Sequence, residues 1–177
     1  MSNQNLRTLA QQREDADRLM SGVVGFLLLV SFAMASWYGT WAEAIFIGVP
    51  AALIPIFIAT SLHGSLISRI AIGASFMIFS ALMIHQAHGM IEFHFGIFVL
   101  LAFLLQYRDW VPALTSAALI AVHHIAFYIM QDSAMPLYVL PTTNGLDGFF
   151  TIILHAILKQ RYFGIWRSSV PVHPWNR

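Results

Sequence analysis

Six stretches of this chain are apolar over roughly the length a helix needs to cross a bilayer, about 20 residues. No other feature constrains the fold as tightly. The stretches run Met20 to Gly39, Ala44 to Leu62, Ser68 to Gln86, Met90 to Gln106, Pro112 to Met130, and from Leu146 until the pattern fades at Lys159. Inside a bilayer every backbone polar group must be paired within the protein, and runs of this length do so as helices. Composition agrees: 58% of residues are hydrophobic and 10% charged, against about 25% charged in an average soluble domain. The expected fold is an all-α integral membrane protein, a bundle of six transmembrane helices. Connections are short except for QDSAMPLYVLPTTNG, between the fifth and sixth runs. Pro112 suits the first turn of its helix.

Ala33, Met34 and Ala35 imitate a signal-peptide cleavage site, yet a largely polar segment with Glu14, Asp15 and Asp17 precedes that run. Signal peptides open on positive charge, so the first run is read as a retained helix. The organisation expected is an N-terminal segment of residues 1–19, a six-span module over 20–163, and a short tail over 164–177.

Charge orients the bundle. With six spans, Arg7, Arg13, Arg18, Arg69, Arg108, Lys159, Arg161, Arg167 and Arg177, all nine Lys and Arg, fall on one side. The other side carries Glu43, Glu92, Asp132 and Asp147. The positive-inside rule then predicts that both termini are cytoplasmic. Trp37, Tyr38 and Trp41 at one interface, with Tyr107 and Trp110 at the other, form the expected aromatic belts. Gly22, Gly25, Gly73 and Ala74 are candidate close approaches between helices. A net charge of +1 leaves no surface for nucleic acid, and the absence of cysteine excludes disulfides and thiolate metal sites.

The ionisable residues inside this apolar frame are mostly histidines. HQAHGMIEFH, His85 to His94, is the outer turn between the third and fourth runs. His123 and His124 lie ~10 Å inward from the outer end of the fifth run, and His155 ~14 Å into the sixth. These six share the outer half of a hydrocarbon core ~30 Å thick. His63 stands at the opposite end, and His173 lies in the tail. His85 and His88 share a helix face. Glu92 and His94 are about 200° apart on a regular helix, and His123 and His124 about 100°, so the adjacent pair face different neighbours. A single histidine in a membrane helix is often only a polar tie of ~1 kcal/mol. Six at one depth point to a functional site, since ionisable groups in a membrane mark ion, proton or cofactor chemistry. Imidazole is a common metal ligand. Paired histidines would hold heme b axially, while copper suits imidazole with sulfur from Met83, Met90, Met130 or Met135. A proton or quinone site, and a non-enzymatic scaffold with structural histidines, remain open. A His-box di-iron membrane oxidoreductase would need fuller H-x-x-H-H boxes than this chain has.

The run HQAHGMIEFHFGIFVLLAFLLQYRDWVPALTSAALIAVHHIAFYIMQ, followed by LYVLP and ILHA, resembles the N-terminal membrane module of some bacterial methyl-accepting chemotaxis receptors and related signalling proteins. The resemblance covers roughly His85 to His155. It rests on the combination of H-x-x-H-G-x-I-E-x-H-F, Y-R-D-W and A-V-H-H. It implies a non-enzymatic sensor in a bacterial inner membrane that signals to a cytoplasmic output domain. The chain departs from that pattern after His155, where ILKQRYFGIWRSSVPVHPWNR turns basic and no output domain follows. A separate signalling partner or a truncation is therefore expected, with the lipid bilayer and further copies of the chain as other partners. His85, His88, His94, His123 and His155 are the expected metal or heme ligands. His124 is a reserve ligand or supporting partner, and Glu92 the group that orients a histidine. Tyr107, Arg108, Asp109 and Trp110 form a turn through which the signal would pass.

Overall fold

The structure, a computed structural model, describes residues 3–141 and Phe150, with side chains from Thr8 onward. Five helices follow one another: α1 (Asn3–Tyr38), α2 (Trp41–Ser61), α3 (Leu66–Gln86), α4 (Ile91–Tyr107) and α5 (Trp110–Asp132). No strand occurs among the described residues. Four of the helices, α1, α2, α3 and α5, are long and apolar enough to cross a membrane, and α4 is an apolar helix of shorter length. The sixth expected span, the tail, His155 and His173 lie outside the described residues.

The 36 residues of α1 form one unbroken helix, ~54 Å long. Ala16, Asp17 and Met20 already belong to the bundle interior.

Helix α3 occupies the centre. Two-thirds of its apolar stretch (67%) is buried, against 33%, 33% and 28% for α1, α2 and α5. It packs against all four other helices. Its small residues make this possible: a Cβ on Gly73 would run into Ser116 Oγ of α5 and press on Leu104 and the Pro112 carbonyl. Close approach of this kind is how membrane helices gain van der Waals contact without a hydrophobic drive. Among the described residues, a Cβ at Gly22 or Gly25 meets nothing within 4 Å, so neither glycine marks a close approach of α1 to α2–α5.

Helix α2 absorbs two prolines by two devices. Pro50 has no N–H and its ring crowds the carbonyl four residues earlier. The helix widens into a π turn at Ala44–Gly48 just before it. Pro55 leaves the Ala51 carbonyl without its helical donor, and Ser75 of α3 donates its hydroxyl to that oxygen at 2.7 Å. At the far end of α4, the 3₁₀ turn Leu104–Tyr107 is closed by Arg108 in a left-handed conformation, φ +50. Asp109 then caps α5, its carboxylate accepting from Val111 N at 3.0 Å.

Candidate functional site

Five of the six described histidines gather at one end of the bundle in two groups, and His63 stands in the turn at the other end. The first lies at the turn between α3 and α4. His88 is left-handed, φ +52, and is followed by Gly89 at φ +78. The His88 ring meets the edges of Tyr38 and Tyr138, with centroids 5.8 and 4.8 Å away. His85 lies 5.7 Å from Tyr138, and its Nδ1 accepts a hydrogen bond from Tyr138 N at 3.1 Å. The second group bridges α4 and α5. His94 and His124 are 5.4 Å apart, ring centre to ring centre, and His123 is 5.6 Å from His124. As their 100° offset predicts, the adjacent histidines separate: His124 is buried toward His94, while His123 lies on Phe127 at 4.0 Å. The two groups remain within electrostatic reach through His85 and His123.

Backbone contacts assign the ring protons. A carbonyl oxygen only accepts, so His94 Nδ1, 3.2 Å from Met90 O, carries a proton, and so does His124 Nδ1, 2.9 Å from Ile120 O. In the neutral ring the lone pair is then on Nε2 of both. A backbone N–H only donates, so His85 Nδ1 carries the lone pair and its Nε2 the proton. The first arrangement is that of a metal-ligating imidazole, whose other nitrogen donates to a carbonyl. The second is that of a tie. His123 Nδ1 is buried with no hydrogen-bond partner among the described residues.

Among the described residues, no three of His, Asp and Glu converge as a metal-holding group. His94 and His124 are a pair, and the expected fifth ligand, His155, lies outside the described residues. Glu92 is exposed in the first turn of α4 while His94 is half-buried, and the carboxylate within electrostatic reach of the histidines is Glu43, facing His85. Below the first group, Gln86 is fully buried and ties α3 to α1. Its amide donates to Ser31 O and Thr40 Oγ1, at 3.2 and 2.9 Å, and its Oε1 accepts from Ser31 Oγ at 3.1 Å.

A second polar cluster occupies the other end, and the reading from sequence did not foresee it. Asp17 is 1% exposed and its carboxylate accepts from Tyr107 Oη at 2.9 Å, Gly64 N at 2.7 Å and Ser68 Oγ at 2.5 Å. Beside it Arg69, 5% exposed, pairs with Asp109, and Arg13 approaches the same carboxylate at 4.0 Å. The expected signalling turn therefore divides. Tyr107 is buried in this cluster and Asp109 is bonded within it, whereas Arg108 and Trp110 are exposed. Depth in the spans is the sequence signal for it, because Asp17, Ser68, Tyr107 and Asp109 share one level when the spans are laid side by side.

Comparison with protein families, with characterised proteins and with solved structures returned no match.

Proposed function

We propose that this chain is a multi-span membrane sensory module that binds a transition-metal ion, copper first, between α4 and α5. His94 and His124 are the proposed ligands, with His123 beside them and His155 expected at the same depth from the sixth run. The observation that carries the reading is the paired tautomer. Two facing helices each present an imidazole whose Nδ1 donates to its own backbone, so two Nε2 lone pairs stand 5.4 Å apart by ring centre. With nitrogen–metal distances of ~2.0–2.1 Å, two imidazoles at tetrahedral or trigonal angles on one ion have ring centres roughly 5–5.5 Å apart. Axial ligands on opposite faces of a heme iron need roughly 6 Å, so the spacing favours a bare ion over heme. His85 and His88 fall outside this site, and the bond from Tyr138 N favours a tying role for His85.

The sensory part rests on the resemblance to chemotaxis-receptor membrane modules and on how the helices are joined. Ligation would draw α4 and α5 together at one end. At the other end α4 is held to α1 through Tyr107 and Asp17, and the start of α5 to α3 through Asp109 and Arg69. A shift at the metal is thereby offered to α1 and to the exposed Arg108 and Trp110. By the positive-inside rule that end faces the cytoplasm of a bacterial inner membrane, with the histidines near the outer face and both termini inside, in a six-span topology.

The test is elemental analysis and an absorbance spectrum on detergent-purified protein after incubation with copper or with hemin. Stoichiometric copper lost in His94→Ala and in His124→Ala, and retained in His88→Ala, is the expected result. A Soret band would transfer the site to heme. Protein that takes up neither, while wild type and variants remain folded, would leave the histidines as ties between helices.

A further inference from the structure

Helix α5 is followed by residues 133–141, which return across the histidine end of the bundle and are fastened twice. One fastening is Gln131. Its Oε1 accepts from Val139 N at 2.8 Å and Leu140 N at 3.2 Å, and its Nε2 donates to Leu140 O at 2.7 Å. The segment seats so closely that a Cβ on Gly89 would collide with the Leu140 backbone. Val139 is fully buried there. The other fastening is the bond from Tyr138 N to His85 Nδ1, with the Tyr138 ring against His85 and His88.

The two fastenings differ in chemistry. Gln131 does not titrate, and its bonds are the same at any pH. His85 holds Tyr138 N only through a lone pair, which protonation removes. A charged His85 would turn an N–H toward a backbone N–H, and the contact would reverse from attraction to repulsion. The Glu43 carboxylate of α2 lies within electrostatic range of the ring. Among the described residues, the other titratable groups facing His85 are His88 from the turn, His123 from α5 and Tyr138 from the segment itself. Tyr38 of α1 faces His88, and Glu92 of α4 is exposed.

We propose that residues 133–141 form an acid-released strap, in which neutral His85 latches Tyr138 N and protonated His85, its charge stabilised from a distance by Glu43, releases it. Release frees one side of the strap while Gln131 keeps the other seated, and it uncovers the aromatic faces of His88 and Tyr138 on that side of the bundle. The device does not depend on the metal reading, since His85 is not among the proposed ligands.

The experiment is amide hydrogen exchange on the full chain in detergent with EDTA present, followed between about pH 8 and about pH 5, where imidazoles change charge. Rates are divided by those of the unfolded chain at each pH. Protection of Tyr138 should fall about five- to tenfold on acidification, the equivalent of one lost hydrogen bond, with Leu140 little changed. His85→Gln keeps a neutral acceptor and should hold its protection at both ends of the range. Glu43→Gln should move release to lower pH. Flat protection in wild type overturns the proposal, and so does an undiminished pH response in His85→Gln. If His85→Gln does not fold, Glu43→Gln decides: an unmoved transition removes Glu43 and the latch with it. Copper uptake is read separately, so either proposal can fail alone.

Discussion

Asp17 shows how much a single buried residue can join. A carboxylate taken out of water is stable only if its oxygens are matched by donors, and here α1 receives one from the turn after α2, one from α3 and one from the end of α4. Removing the acceptor orphans Tyr107 Oη and Gly64 N, while Ser68 Oγ keeps the Ser65 carbonyl at 3.2 Å. Asp17→Ala should therefore lower stability by about 3 kcal/mol or more, measured as thermal unfolding in detergent. Tyr107→Phe removes one donor and should cost about 1–2 kcal/mol. Equal effects of the two substitutions would show that Ser68 and Gly64 find other partners. The residue looked ordinary in sequence. It stands in a polar stretch with Glu14 and Asp15, and its partners are 47 to 90 positions away. His85 had the opposite history, since its cluster was visible at once but its tautomer was not. Whether a ring nitrogen offers a lone pair to a metal or accepts a backbone N–H depends on which loop returns to it.

At the scale of helices, apolar length and proline placement were legible, while contact partners were not. Hydropathy located α2, α3 and α5 and the apolar part of α1, because the bilayer sets the length of an apolar run. It missed the seventeen residues, 3–19, by which α1 precedes its apolar stretch, since polar helix and polar segment have similar composition. Small-residue positions were half right for a physical reason. A glycine allows close approach, but only a neighbour makes it one. Gly73→Ala should cost about 1–3 kcal/mol, because Ser116 must turn and the Pro112 carbonyl is fixed backbone. Gly22→Ala should be neutral or stabilise by up to about 1 kcal/mol through helix propensity. If adding Ser116→Ala to Gly73→Ala restores none of the loss, the hydroxyl is not the obstacle. The proline device is open to a similar cycle. Ser75→Ala should cost about 1 kcal/mol in wild type and less in Pro55→Ala, where residue 55 regains its N–H for the Ala51 carbonyl.

The whole molecule is tied at both ends, and those ties constrain how the chain threads. His85, at the end of α3, meets Tyr138, which follows α5. Tyr107, at the end of α4, meets Asp17 at the opposite end of the bundle. The chain must therefore travel from one end to the other within α4 and return within α5, although α4, at ~25 Å, is shorter than the ~30 Å core. A short helix can cross if the bilayer thins locally or its ends are carried by polar neighbours, and here the Asp17 cluster supplies such an end. The chain lacks cysteine, so single cysteines report topology without background. With a membrane-impermeant maleimide on intact cells, Met135→Cys should label from outside. His63→Cys, beside the Asp17 cluster, should label only after permeabilisation. The reverse pattern would invert the bundle against its nine positive charges. Labelling of both from the same side would mean that one of α3, α4 and α5 fails to cross, against the three crossings that the ties at the two ends require.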